Sequence, residues 1–174
     1  MIKKMSVWEV DTGSAPLSQI LSWGLSQQVD RMLVSVRLTK RGGEKSSAPV
    51  GVERRLEKLF GENVLDSLKA SAWPGTELTN HRGLIFVIRF NEAVKDIALR
   101  AEPELKKWLN TANPPLPEDI CLFKTIESYP RFVSVTHEGL AWVLNDKRPK
   151  LSGVNKSNLQ PQELFFSGRY FCKE

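Results

Sequence analysis

The chain has 174 residues, of which 41% are hydrophobic and 26% are charged. A domain of this length buries roughly 70% of the surface of its unfolded chain, so it folds without disulfides or a structural metal. This composition excludes a wholly disordered or a fibrous protein. We expect one globular domain spanning residues 1–174.

The formal net charge is +5 and the isoelectric point is about 9.3, which favours an acidic partner through long-range attraction. The 20 acidic residues are interspersed among the basic ones, as on an ordinary solvated surface. Two cysteines outside any C-x-x-C pair suit a reducing compartment. The first residues lack the apolar segment of a signal peptide, and no apolar run approaches the ~20 residues that span a bilayer. We therefore expect a cytoplasmic protein without a membrane segment.

The first part of the chain predicts a strand, a helix and a second strand. Residues 5–10 alternate loosely between apolar and polar side chains, as in a strand. Apolar residues then recur at spacings of three and four, with Ser14 as a possible N-cap and Pro16 in the first turn. Residues 32–38 alternate again and lead into residues 39–49, which have the composition of a flexible loop.

The middle of the chain predicts two further helices around a buried strand. The apolar residues of 52–72 have helical spacing, and Gly61 divides this segment into two helices. Residues 83–90 form a continuous apolar run, which is typical of a central strand buried on both faces. Asn91 then caps a helix that Pro103 kinks or restarts.

Residues 119–146 predict a three-stranded antiparallel meander. A four-residue turn at 127–130 and a three-residue loop at 137–139 place Phe132 opposite Leu144. Each face of the meander is then apolar, so we expect helices to cover both faces. One face would hold Cys121, Phe123, Phe132, Trp142 and Leu144, and the other Ile120, Leu122, Val133, Val135, Ala141 and Val143.

These elements predict an α+β fold with a mostly antiparallel sheet, helices on both faces and a single domain. Residues 147–162 have the polar composition of a second flexible loop. The aromatic residues of 163–172 are costly to expose, so we expect this segment to dock back on the domain.

No motif predicts a catalytic residue, a metal site or a cofactor. Cys121 and His137 fall on opposite sides of the predicted pleat, which argues against a thiol–imidazole pair; His81 is the only other histidine. Two cysteines and two histidines are too few and too widely spaced for a structural zinc site. Residues 42–46 lack the glycine spacing and the following helix of a phosphate-binding loop. Carboxylates that meet only in space leave no trace in a sequence, so a hydrolase remains a third alternative.

Basic clusters are the strongest functional signal in the sequence. Lysine and arginine side chains that converge in space can bind phosphates or an acidic protein surface. The same clusters are also common as ordinary solvated faces. The candidate binding residues from these clusters are Arg41 and Lys45, Arg54 and Arg55, and Lys147, Arg148 and Lys150.

Three further residues are candidates for a contact surface. Trp73 is followed by Pro74 and Gly75 at a predicted helix end, where a partly exposed aromatic side chain can anchor an interface. His137 and Glu138 lie in a predicted loop tip. We therefore expect a non-enzymatic binding or inhibitor-like module that recognises a protein partner. The alternative is a nucleic-acid-binding accessory protein that uses its basic loops. The sequence predicts no oligomeric state.

Overall fold

Eight strands form one antiparallel sheet in the computed structural model, which describes residues 5–38, 51–78 and 82–164. The order across the sheet is β10-β1-β9-β8-β7-β2-β6-β3, and a short hairpin of β4 and β5 lies outside it. The strands are β1 (Ser6–Val10), β2 (Arg31–Arg37), β3 (Val64–Ala70), β4 (Ala72–Trp73), β5 (Thr76–Glu77), β6 (Gly83–Arg89), β7 (Glu118–Phe123), β8 (Pro130–Val135), β9 (Leu140–Asn145) and β10 (Val154–Lys156).

The described residues also form three α-helices, and the fold is a small α+β fold with a large antiparallel sheet. They are α1 (Leu17–Ser26), α2 (Val52–Phe60) and α3 (Glu92–Ala101). None of the helices in the described part of the chain is long and apolar enough to cross a membrane. Short 3-10 helices occupy Gly61–Asn63, Leu105–Lys107, Thr136–Glu138 and Pro161–Glu163.

The sheet is buried on both faces, but by different elements. On one face the sheet packs against α1, α2 and α3 in a large core that includes Leu17, Leu56 and Val94. On the other face a second core gathers around Trp73 of the β4–β5 hairpin and Leu164. No described α-helix contributes to this second core. The prediction of helices on both faces is therefore not confirmed: among the described residues, the β4–β5 hairpin and the segment that ends at Leu164 pack on the second face.

The register of β8 differs from the predicted one. Val133 lies opposite Cys121 on one side and opposite Trp142 on the other. The connections at 124–129 and 136–139 are both longer than predicted, since β7 already ends at Phe123. Side chains alternate along a strand, so an odd shift in pairing turns the whole strand over. The residues that change face relative to the prediction are Phe132, Val133 and Val135.

The segment after Gly61 is a strand, although its apolar spacing predicted a helix. α2 ends at Phe60, and the next residue, Gly61, has a φ of 48°, in the left-handed region that favours glycine. Residues 64–70 then form β3 and pair with β6. Short apolar patterns fit either element, and pairing with a neighbouring strand decides between them. β6 is consequently second from the edge of the sheet and not at its centre.

Smaller differences concern the ends of helices and one predicted loop. Pro16, and not Ser14, is the N-cap of α1. Asn91 caps α3 as predicted, because its Oδ1 accepts a hydrogen bond from the N–H of Val94 at 3.0 Å. The predicted loop 147–162 contains β10, which pairs with β1 at the edge of the sheet.

Trp73 is fully buried and packs directly on the backbone of β6. A Cβ atom at Gly83 would lie 2.7 Å from Cζ3 of the Trp73 ring. Glycine at position 83 thus allows the indole ring to approach the strand, and any side chain there requires the ring to shift.

We predict that Gly83→Ala lowers the free energy of unfolding by about 1–3 kcal/mol, because it overpacks the second core. The loss should be smaller in a Trp73→Leu background, where the ring is absent. Urea unfolding of the two single variants and the double variant measures this coupling. An equal loss in both backgrounds would contradict the proposed contact.

Candidate functional site

A buried carboxylate joins the β4–β5 hairpin to the main sheet. Asp119 is 0% exposed. Its Oδ2 accepts a hydrogen bond from the indole Nε1 of Trp73 at 2.9 Å, and its Oδ1 accepts one from the N–H of Thr136 at 2.8 Å. The hydroxyl groups of Ser35 and Thr76 lie at 3.4 Å from Oδ2. With its oxygens held by these donors, Asp119 has a structural role.

The backbone of Asp119 is also unusual, with a φ of 53°. Among residues other than glycine, aspartate and asparagine adopt this left-handed conformation most readily. It coincides with the irregular pairing between β2 and β7, where the register shifts between Leu33 and Ser35. The irregularity directs the side chains of Glu118 and Asp119 to different partners.

Glu118 forms a second polar cluster with residues from β2 and the segment before β7. Its Oε1 accepts a hydrogen bond from the N–H of Asn110 at 2.9 Å, and its Oε2 lies 3.4 Å from Nε of Arg37. The side-chain oxygen of Asn110 accepts a hydrogen bond from the N–H of Arg37 at 2.8 Å. Burial is the main factor that raises the pKa of Glu118, and the neighbouring charge of Asp119 adds to it.

His137 lies at the solvent-facing side of this cluster. Nη2 of Arg37 is 3.0 Å from both ring nitrogens. A donor in the ring plane could not be this close to both nitrogens without striking the carbon between them, so the guanidinium group lies over the ring face. Glu138 is 3.5 Å from Nε2 of His137 and exposed to solvent.

The cluster does not have the character of a metal site. Potential ligand atoms of Glu118, Asp119 and His137 lie within 4.8 Å of one another. However, the guanidinium of Arg37 contacts both Glu118 and His137, which places a positive charge where a cation would bind. Protein donors already occupy the oxygens of Asp119. We therefore assign these residues to the hydrogen-bonding framework.

Cys121 is a core residue. Its thiol is fully buried and donates a long hydrogen bond of 3.5 Å to the backbone oxygen of Asp119. Burial raises the pKa of the Cys121 thiol far above its usual range. Since the thiolate is the nucleophilic form, this environment disfavours thiol chemistry.

The structure separates the binding residues that the sequence predicts. Trp73 lies in the second core and not at the surface. The exposed residues Lys147, Arg148 and Lys150 follow β9, where the guanidinium of Arg148 donates a hydrogen bond to the backbone oxygen of Val154. His137 and Glu138 flank the Arg37 cluster described above. The predicted candidates outside the described residues are Arg41 and Lys45.

Arg54 and Arg55 line a cleft of about 720 Å³ between α2, α3 and the two prolines at 114 and 115. Lys58 of α2 and Arg100 of α3 lie along the same cleft. Sequence proximity predicts the pair Arg54 and Arg55, but only the packing of α2 against α3 brings Arg100 beside them.

The loop between β7 and β8, residues 124–129, is anchored at its first end by two hydrogen bonds. The carboxylate of Asp30 accepts two hydrogen bonds from Thr125, from its N–H at 2.8 Å and from its hydroxyl group at 2.7 Å. Asp30 is itself fixed between strands, since its N–H donates to the backbone oxygen of Phe123 and its own backbone oxygen accepts from the N–H of Phe90.

The second end of loop 124–129 is held by a bidentate ion pair. Arg131 donates from Nε and Nη2 to the two carboxylate oxygens of Glu127, at 2.6 and 2.5 Å. Its guanidinium also lies 5.4 Å from the ring centre of Tyr129. Paired hydrogen bonds between a guanidinium and a carboxylate fix geometry more strictly than a single bond does.

Ile126 lies between these two anchors and is 92% exposed. Sequence reasoning missed it, because the predicted first strand of the meander extended as far as Ile126. The signal available in the sequence was the polar composition of residues 124–129 around a single isoleucine, which is more typical of a loop than of a strand.

No protein-family model matches the chain, and comparison with curated proteins and with solved structures gave no significant match.

We predict that Glu118→Gln stabilises the protein relative to the wild type increasingly as the pH rises. Burial raises the pKa of Glu118 in the folded state above the ordinary value of a glutamate. Its contribution to stability is therefore present below the unfolded pKa and is lost as the pH rises through the folded pKa. Urea unfolding of the wild type and of Glu118→Gln, at pH values below and above the ordinary pKa of a glutamate, measures the difference in their free energies of unfolding.

The matched control is Glu138→Gln, which removes the same charge from an exposed neighbour. Glu138→Gln should not become more stable relative to the wild type as the pH rises. A wild-type protein that gains stability over Glu118→Gln with rising pH would show that Arg37 and Asn110 outweigh the cost of burial.

Proposed function

We propose that the protein is a non-enzymatic binding module that recognises a protein partner by inserting loop 124–129 into an apolar pocket of that partner. The observation that supports this proposal is the 92% exposure of Ile126 on a loop anchored at both ends. An inhibitor-like mode of action fits the same geometry, since a rigid loop with an exposed apolar side chain can occlude a pocket.

An isoleucine exposed to water leaves free energy that a partner can recover by burying it. Burying such a side chain is worth about 1.5–3 kcal/mol, and the fold itself gains almost none of this from Ile126. A pocket that accepts the side chain recovers this free energy on binding. Isoleucine is also stiff at χ1 because it is β-branched, so it loses little rotamer entropy when it is bound.

The anchors of loop 124–129 lower the entropic cost of ordering the loop when a partner binds. Ordering a flexible side chain or loop segment at an interface costs about 0.5–1.5 kcal/mol for each immobilised side chain. The Asp30 and Arg131 contacts already hold the loop on both sides of Ile126. Loop 124–129 therefore reaches the partner in a preorganised form.

The residues beside Ile126 also suit a protein interface. Tyr129 is partly exposed and stacks beneath Arg131. Tyrosine and arginine are enriched among the residues that dominate the free energy of protein association. By contrast, no aromatic residue in the described part of the chain is fully exposed, and binding of single-stranded nucleic acid depends on such stacking platforms. The fold thus supports a protein partner over a nucleic acid.

A photo-crosslinking experiment tests the proposal. Exposed Ser128 in the loop is replaced by p-benzoylphenylalanine in cells that naturally express the protein. We expect one discrete protein adduct on irradiation, insensitive to nuclease. Ile126→Asp in the same background should abolish it, since loss of a central apolar anchor costs about 2 kcal/mol or more, whereas Ile126→Val should retain it.

The positional control carries the crosslinker at Ser67, an exposed residue of β3. The same adduct from Ser67, or an adduct unaffected by Ile126→Asp, would refute recognition by loop 124–129. An adduct released by nuclease would instead favour a nucleic-acid partner. Thermal unfolding of Ile126→Asp should match the wild type within about 0.5 kcal/mol, because the residue makes few contacts in the fold.

A further inference from the structure

A second surface feature shares no residue with loop 124–129. It is the cleft between α2 and α3, which we call the α2–α3 cleft. Four cationic side chains lie along it, and none of the described residues that line it is acidic or aromatic. The lining residues are Gly51, Arg54, Arg55, Lys58, Leu59, Ile97, Arg100, Ala101, Pro114 and Pro115.

The four cations lack carboxylate partners within the part of the chain that the structure describes. Other basic residues of the fold, such as Arg37, Lys95 and Arg131, each lie within 4 Å of a carboxylate. Nε of Arg55 is buried and has no described hydrogen-bond acceptor. The α2–α3 cleft thus concentrates positive charge that the described protein does not neutralise, and an anionic ligand would supply the missing charge.

Helix geometry explains why the basic residues of α2 and α3 line the same cleft. Arg54 and Lys58 are four residues apart and therefore share one face of α2. α2 contacts α3, and this packing places Arg100 of α3 along the same cleft. Gly51, the N-cap of α2, also lines the cleft, and none of the described side chains caps the helix there. The N-terminal end of the helix dipole adds positive potential there, which Glu53 in the first turn partly offsets.

The remaining lining of the cleft is apolar. Leu59, Ile97 and Ala101 are partly buried, and Pro114 and Pro115 close one side. An inorganic ion would leave these side chains in contact with water. A ligand that combines an anionic group with an aliphatic body would instead use both parts of the surface.

We propose that the α2–α3 cleft binds a small organic phosphate monoester with an aliphatic body. The cleft volume lies within the range of roughly 300–1,000 Å³ that is typical of small-molecule sites. Four cations favour a dianion over a singly charged carboxylate, because each adds to the Coulomb attraction. Arg54, Lys58 and Arg100 bind the phosphate, and Ile97 and the prolines contact the aliphatic chain.

The concave shape and the absence of aromatic lining residues separate this site from a nucleic-acid surface. A site for single-stranded nucleic acid combines a basic groove along the backbone with aromatic side chains on which the bases stack. The α2–α3 cleft has basic residues but no aromatic side chain among the described residues that line it. Binding of an oligonucleotide is therefore one of the outcomes that would overturn the proposal.

Calorimetry and two-dimensional NMR with hexyl phosphate test the site. We expect binding with chemical-shift changes confined to α2, α3 and residues 113–116. Affinity should exceed that of inorganic phosphate and of hexanol by about tenfold or more, since each lacks one half of the recognised chemistry. Hexanoate that binds as tightly as hexyl phosphate would contradict the assignment of a phosphate.

The decisive variant is Arg54→Gln combined with Arg100→Gln, with Lys147→Gln combined with Lys150→Gln as the control of equal charge. The first pair should weaken hexyl phosphate binding at least about tenfold, and the second should leave it unchanged. If both double variants lost hexyl phosphate affinity equally, the loss would be an effect of net charge. That result would refute the site. Tighter binding of a single-stranded oligonucleotide than of hexyl phosphate would do the same.

Vesicles that contain phosphatidic acid distinguish the source of the monoester. Co-sedimentation that disappears in the Arg54→Gln and Arg100→Gln variant would support the site with a lipid headgroup as its ligand. Absence of co-sedimentation, together with binding of hexyl phosphate, would support a free small molecule.

Discussion

Both faces of the central strands must be shielded from water, and this constraint decides where recognition can occur. In β2, for example, Leu33 and Val34 point to opposite sides and are both fully buried. The three helices shield one face, and the hairpin with Trp73 shields the other. The middle of the sheet is therefore unavailable to a ligand. Loop 124–129 and the α2–α3 cleft both lie outside the shielded region.

The sequence predicted the elements whose pattern has one physical interpretation. The continuous apolar run of β6 and the capped helix α3 are examples. Residues 64–70 were assigned to a helix, because six or seven residues are too few to distinguish the two periods. These residues form a strand because they pair with β6, and this pairing depends on the whole fold. The predicted register failed for a related reason: it depends on loop lengths that apolar alternation does not specify.

Some of the functional residues could likewise be predicted from the sequence, whereas others depend on three-dimensional packing. Arg54 and Arg55 are neighbours in the chain and were predicted as a basic pair, but Arg100 joins them only through the packing of two helices. The sequence predicts Trp73 as a contact-surface residue because it precedes a proline and a glycine at a predicted helix end. Its burial requires the polar partner Asp119 for its indole nitrogen, and that partner lies 46 positions away. Exposure of an apolar residue such as Ile126 is likewise a property of three-dimensional structure.

Asp119 carries two independent requirements at one position. Its backbone has a conformation that few residues other than glycine, asparagine and aspartate tolerate, and its side chain must accept hydrogen bonds from Trp73 and Thr136. Glycine would satisfy the first demand and fail the second. Asparagine would bring an amide donor against an indole donor or a backbone donor. Both the backbone conformation and the hydrogen bonds thus restrict which residues can replace Asp119 during evolution. Related chains that keep a tryptophan at position 73 should therefore keep an aspartate at position 119.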